Sequence, residues 1–233
     1  MQYFTKQDIK NLERCLQIKK EASSYEEKLW KKVHIYKNIL SFIPGVSCVC
    51  ICNSLAMNAC HSNSDIDLFI ITQRNRLWSV RIFLTSFFAL FGQRKTSKKH
   101  AGKFCLSFFI SETAPSFETF AIPQDVYLAH WIETLVPIVN KNQSFERFQA
   151  NNIWYEIEGL QKKDMHLLKK EYPVQKWVFI WDVLEKILKS IFLPRTKKSS
   201  QKLWEPFGII ISDTILKFHN DDQREAISQK VFE

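Results

Sequence analysis

Two acidic residues, Asp65 and Asp67, stand at the beginning of an apolar run that continues to Ile71. In a β-strand, residues two apart point to the same face, so we expect the two Cα atoms roughly 6 to 7 Å apart and both carboxylates on one side. At that separation two carboxylates repel each other by about 3 kcal/mol at an effective dielectric of about 20. A shared proton, a neighbouring Lys or Arg, or a divalent cation is needed to offset this repulsion, and Mg²⁺ suits one or two carboxylates combined with substrate phosphates.

A second polar position lies shortly before the aspartates. The apolar segment Val46–Cys52 reads as a buried strand, and it ends at Asn53 and Ser54, after which Leu55–Ala59 has the pattern of a first helical turn. Free backbone N–H groups and the helix dipole favour anions at such a strand-to-helix turn. The sequence therefore predicts an anion-binding turn at Asn53 and Ser54.

Together these residues resemble the nucleotidyltransferase superfamily of the DNA polymerase β type. The pattern is an apolar strand, a small pair that ends in Ser54, a spacer of about ten residues, and Asp65 and Asp67 alternating with apolar residues. The similarity covers about residues 35 to 112. The resemblance implies that Asp65 and Asp67 bind Mg²⁺ and that Asn53 and Ser54 hold the phosphates of a nucleoside triphosphate. It also implies transfer of a nucleoside monophosphate to an acceptor hydroxyl.

The chain departs from the family pattern at two positions. Asn53 stands where the family has Gly, and its Cβ limits how closely a triphosphate can approach, although Asn tolerates left-handed backbone. The family also has a third carboxylate on a following strand, whereas the candidate strand Lys103–Ile110 contains no acid. Alternation places Ser107 at that position, with Glu112 at the strand end as a substitute.

The elements that position these residues follow from apolar periodicity. Helices are predicted over 6–22 and 25–42, and Pro44-Gly45 then turns the chain into the first strand. A helix over 77–91 follows the aspartates, and it is apolar on nearly all sides, as in buried helices. The fold class is α+β: a small mixed β-sheet covered by helices, followed by a helical half.

A stretch rich in Pro, Ser and Thr over 114–123 marks a predicted boundary. We expect a nucleotidyltransferase-like domain over 1–120 and a helical domain over 121–233. Periodicity and prolines predict four helices in the second domain, and its tryptophans are expected in the core. The predicted helices cover residues near 124–136, 144–158, 174–192 and 200–218. Three histidines are interpreted as structural or surface residues: His130, His166 and His219.

Composition excludes several classes of protein. With five glycines, the chain can contain neither a phosphate-binding P-loop nor a dinucleotide fingerprint. Apolar runs are shorter than the roughly 18 residues of a membrane span, and the N-terminus lacks a secretory pattern, so a cytoplasmic location is expected. The six cysteines lack paired metal-ligand spacing and are expected to be reduced, buried thiols.

A formal charge of +9 favours anionic partners such as nucleotides or RNA, although a basic surface without a partner is equally common. The loop Arg94–His100 is densely basic, and Arg74, Arg76 and Arg81 are candidates for a phosphate contact. Three functions stay open: a nucleotidyltransferase, a catalytically impaired nucleotide- or RNA-binding module, and an interaction protein paired with a partner chain. The acceptor, the base preference and the oligomeric state do not follow from the sequence.

Overall fold

A computed structural model describes residues 1–160, 178–201, 208–218 and 222–233. The strands are β1 (Gln2–Phe4), β2 (Val46–Cys52), β3 (Ile66–Thr72), β4 (Phe104–Ser111), β5 (Val136–Asn140), β6 (Tyr155–Ile157), β7 (Ile209–Ile211) and β8 (Ile215–Phe218). The helices are α1 (Lys6–Cys15), α2 (Ser24–Phe42), α3 (Asn53–Ala56), α4 (Leu77–Leu90), α5 (Val126–Thr134), α6 (Ser144–Ala150), α7 (Val178–Ser200) and α8 (Arg224–Phe232).

A six-stranded mixed sheet forms the centre of the fold, in the order β5-β2-β3-β4-β8-β7. Strand β3 pairs antiparallel with β2 and parallel with β4, and the other pairs in this sheet are antiparallel. Both β2 and β3 are covered on their two faces, which explains why their sequences are apolar almost without interruption. The predicted α+β class with a mixed sheet flanked by helices is confirmed.

Apolar side chains on the two faces of the sheet belong to separate cores. Val49 and Leu68 pack in one core with residues of α2 and α4, including Trp78 and Phe88. On the opposite face, Phe69 lies in the other core. The Phe69 ring contacts the rings of Phe108, Phe117, Trp131 and Phe148 at centroid distances between 5.1 and 6.0 Å.

The turn from α2 into β2 depends on Gly45. Its backbone is left-handed, with φ of 81°, and a Cβ atom there would lie 2.9 Å from a methyl group of Val80 and 3.0 Å from the Cβ of Arg76. Glycine therefore lets β2 begin directly beneath α4. The helix predicted over 25–42, the strand over 46–52, and the helix over 77–91 are confirmed within one residue at each end.

The prediction that the second half is helical is wrong in part. This half contributes β5, β6, β7 and β8, so residues 1–120 and 121–233 both supply strands to the central sheet. The helix predicted over 144–158 ends at Ala150, and β7 and β8 occupy part of the one predicted over 200–218. Pro194 lies inside α7 and does not separate two helices. Short apolar runs fit helix and strand equally well, and periodicity alone does not separate them.

Three segments lie outside the described residues, namely 161–177, 202–207 and 219–221, and they include His166, Trp177, Trp204 and His219. Within the described part of the chain, all six cysteines are free thiols, four of them buried. None of the described helices combines the length and apolar character that crossing a membrane requires.

Candidate functional site

The two aspartates lie at one end of the central sheet. Asp65 immediately precedes β3 and Asp67 is its second residue, where it is flanked by Cys52 of β2 and Cys105 of β4. Asp67 is partly buried, whereas Ile66 and Leu68 point into the core. The alternation of the strand thus brings the carboxylates together on one side, as predicted from their spacing.

Asn53 is placed beside Asp67 by the end of β2. Its backbone is left-handed, with φ of 55°, a conformation that Asn tolerates better than most other residues with a Cβ atom. The Asn53 side chain hydrogen-bonds to Asp67, and its Oδ1 accepts a hydrogen bond of 2.7 Å from the indole Nε1 of Trp131. Asn53 therefore fixes the position of one carboxylate.

Ser54 begins the short helix α3 together with Asn53. Its hydroxyl accepts a hydrogen bond from the Cys60 thiol at 3.5 Å, and it lines a cavity of about 360 Å³ whose walls include Tyr127 and Trp131. Asn53 lines both this cavity and the larger cleft that contains Asp67. Ser54 is therefore on the other side of Asn53 from the carboxylate cleft.

The repulsion between the carboxylates is offset by a lysine and is reflected in the pKa of Asp67. The Nζ of Lys95, from the basic loop, lies 2.7 Å from an Oδ of Asp65. Burial, followed by the charge of Asp65, raises the pKa of Asp67 to about 6, while the hydrogen bond from Asn53 and the charge of Lys95 act in the opposite direction. A neighbouring lysine is one of the three solutions that the sequence suggested, and the raised pKa adds a proton on Asp67 only below about pH 6.

Cys105 occupies the third position around the carboxylates. Ligand atoms of Asp65, Asp67 and Cys105 all lie within 4.8 Å of one another, close enough to hold one metal ion. Burial raises the pKa of the Cys105 thiol well above its ordinary value, with a further contribution from Asp67, and the thiol donates to the Ser107 hydroxyl at 3.4 Å. The parallel register of β3 and β4 brings Cys105 next to Asp67. The sequence does not display that register, so Cys105 was not predicted as a site residue.

The interpretation of Glu112 as a substitute for the third carboxylate is wrong. Its backbone N–H donates to Thr72 at the opposite end of β3, about 16 Å from Asp67 at the rise of a strand. The Glu112 carboxylate accepts hydrogen bonds from Ser47 and Ser144 at that end of the sheet. It therefore fastens β2 to the start of α6.

A cleft of about 890 Å³ opens beside Asp67, between the edge of β4 and helices α4 and α7. Its charged lining consists of four cations and one acid. These residues are Arg81, Arg94, Lys95, Arg195 and Asp67. Hydroxyl groups make up much of the remaining wall: Thr85, Ser86, Thr96, Ser97, Ser107, Thr196, Ser199 and Ser200. Such a lining suits a ligand with several anionic oxygens.

The three arginines that follow the aspartates occupy different environments. Arg74 is exposed on a turn. Arg76 is buried and pairs with Asp182 of α7 at 2.6 Å, which makes it a structural residue. Of the three, Arg81 alone is among the described residues that line the cleft.

Comparison with protein-family models, with curated proteins and with solved structures finds no match. The functional assignment therefore depends on the arrangement of the residues described above.

Proposed function

We propose that the protein is a nucleotidyltransferase that moves a nucleoside monophosphate from a nucleoside triphosphate to an acceptor hydroxyl in a Mg²⁺-dependent reaction. The observation that supports this most strongly is the juxtaposition of Asp65 and Asp67 with the Asn53 turn at the mouth of a cleft lined by cations. The acceptor hydroxyl would lose its proton to solvent as its oxygen forms a bond to the α-phosphorus of the nucleotide, while the bond from that phosphorus to the β-phosphate oxygen breaks and pyrophosphate leaves.

The carboxylates fit the metal that this proposal requires. Mg²⁺ is held in proteins by one or two carboxylates together with substrate phosphates, and Asp65 and Asp67 would supply the protein ligands. When bound, the metal would neutralise charge on the attacking and leaving oxygens. Asn53 would keep the Asp67 oxygens in position through its side-chain hydrogen bond, and Lys95 would exchange its contact with Asp65 for a substrate phosphate.

A second candidate function is nucleotide or RNA binding without turnover, and two observations favour it. The strand position that carries an acid in the resembled family offers Cys105 and Ser107 here, so no carboxylate on β4 is available to take the proton of an acceptor hydroxyl. In addition, Lys95 already pairs with Asp65. The missing carboxylate would reduce catalysis more than ligand binding, and the Lys95 contact would reduce catalysis by competing with the metal for Asp65.

The experiment that tests the first function is incubation with labelled nucleoside triphosphates and Mg²⁺ or Mn²⁺, against RNA, protein and small-molecule acceptors. The double variant Asp65→Ala, Asp67→Ala should abolish label transfer. The matched control is Asp213→Asn, which removes a carboxylate that is 84% exposed in the turn between β7 and β8. Label transfer that persists in the double variant would refute the assignment.

Binding separates the two candidates. If the wild type binds a nucleoside triphosphate in calorimetry, loses that binding in the double variant, and transfers no label to any acceptor, the binding module is the better description. RNA binding adds a further criterion, because affinity that depends on phosphate contacts should fall steeply with rising salt.

A further inference from the structure

Arg81 is a partly buried cation without a counter-ion among the described residues. Its guanidinium carbon lies 4.7 Å from the ring centre of Phe218 and 5.5 Å from that of Trp78, and its Nη1 donates to the Thr196 hydroxyl at 3.2 Å. The Nε atom is buried and has no hydrogen-bond partner within the described ranges. None of the ion pairs found among the described residues includes Arg81. An arginine in such surroundings is normally paired with an anion.

The environment of Arg81 is also repulsive. Burial lowers the pKa of its guanidinium to about 10, with a second contribution from the charge of Arg94, so the group still carries its proton at neutral pH. Ring faces attract the cation, but they do not satisfy its N–H groups. A ligand with negative charge and hydrogen-bond acceptors would balance the positive charge of Arg81 and accept hydrogen bonds from its N–H groups.

The neighbouring cleft residues indicate what kind of anion fits. Arg94 and Arg195 line the same cleft from different segments, and neither has an ion pair with a described residue. Hydroxyl donors from α7, Thr196 and Ser199, lie in the same wall. Several cations and hydroxyls around one cleft suit a phosphate group, whose oxygens accept bidentate hydrogen bonds from guanidinium groups and further bonds from hydroxyls.

We propose that Arg81, together with Arg94 and Arg195, forms a phosphate-binding subsite in the cleft, separate from the Asp65 and Asp67 pair. The phosphate belongs either to the nucleoside triphosphate or to a phosphorylated acceptor. This subsite rests on the proposed function only for the identity of the ligand, because the case for an anion comes from Arg81 itself.

The test is calorimetric titration of orthophosphate and of tripolyphosphate into the wild type, Arg81→Met and Arg74→Met at constant ionic strength. Methionine preserves much of the apolar stem that packs on Phe218. Losing a charge-assisted hydrogen bond should weaken phosphate binding about tenfold to a hundredfold in Arg81→Met. Arg74→Met removes the same charge from an exposed site outside the cleft and should change the affinity by less than about twofold. Equal affinities in all three proteins, or equal losses in both variants, would overturn the proposal.

Thermal unfolding supplies a readout that a structural arginine would not give. Because Arg81 has no described counter-ion, Arg81→Met should melt at the same temperature as the wild type or higher when phosphate is absent. Phosphate should raise the melting temperature of the wild type and leave that of Arg81→Met nearly unchanged. A variant that melts lower and gains as much from phosphate as the wild type contradicts the subsite. If Arg81→Met does not fold, the double variant Arg94→Gln, Arg195→Gln tests the subsite, since unchanged phosphate affinity there also overturns it.

Repeating the orthophosphate titration at a saturating concentration of a non-hydrolysable nucleoside triphosphate distinguishes the two sources of the phosphate. Binding that persists and still depends on Arg81 assigns the subsite to the acceptor, whereas competitive loss assigns it to the nucleotide. Arg81-dependent phosphate binding without label transfer in any acceptor assay would refute the proposed function and leave the subsite standing. Label transfer combined with phosphate binding that does not depend on Arg81 would refute the subsite and leave the proposed function standing.

Discussion

Asp67 is held at a cost to folding, and its substitution should therefore stabilise the protein. The pKa of this carboxyl rises from its ordinary value near 3.8 to about 6, chiefly through burial and then through the charge of Asp65. A rise of that size favours the protonated form by about 3 kcal/mol. Since the folded state binds the proton more tightly than the unfolded chain, the contribution to stability is full below about pH 4 and is lost as the pH rises through about 6.

Asp67→Asn keeps the shape of the side chain and removes the ionisation. At pH 7.5 the variant should have a free energy of unfolding higher than the wild type by up to about 3 kcal/mol, and near pH 4 the two proteins should be equal. Urea unfolding at pH 4.0, 5.5 and 7.5 measures the difference, and Asp213→Asn is the control for the loss of one exposed carboxylate. If Asp67→Asn is no more stable than the wild type at pH 7.5, or the difference does not depend on pH, the argument from burial is wrong.

Lys95→Met should bind Mn²⁺ about twofold to fivefold more tightly in calorimetry, because an ammonium group no longer competes for Asp65; an unchanged affinity would show that the two cations do not compete. Glu112→Gln should leave the Mn²⁺ affinity unchanged, because the Glu112 carboxylate lies at the far end of β3. A large loss of Mn²⁺ affinity would show that Glu112 belongs to the metal site. Arg224→Met should lower the free energy of unfolding by about 3 to 5 kcal/mol, measured in urea, because it removes the cation 2.9 Å from the fully buried Asp125 carboxylate. A loss below about 1 kcal/mol would contradict this expectation.

The first half of the fold was predictable because its signals are long and consistent. The apolar run Val46–Cys52, the periodic helix α2 and the glycine turn at Gly45 each indicate one structure, and the chain adopts it. The strands Ile209–Ile211 and Ile215–Phe218 are too short for periodicity to identify, and they form because the exposed edge of β4 accepts β8. Strands that form by pairing with the edge of a sheet depend on contacts distant in sequence, which a local sequence pattern does not show.

The candidate site was predictable to the same extent. Asp65, Asp67 and Asn53 follow from offsets within two adjacent strands, which the sequence displays directly. Cys105 and Lys95 do not, since their positions depend on the register between β3 and β4 and on the path of a basic loop. The sequence shows only that this loop is densely basic, and it does not show that Lys95 of the loop contacts the Asp65 carboxylate.

The hydrogen bonds from Trp131 through Asn53 to Asp67 give the site a built-in optical reporter. An indole that donates to a polarised amide changes its emission when the charge beyond that amide changes. Protonation of Asp67, or a cation bound to it, is therefore transmitted to the Trp131 fluorophore without an added label. The chain contains seven tryptophans, so the difference in emission between the wild type and Trp131→Phe isolates this signal.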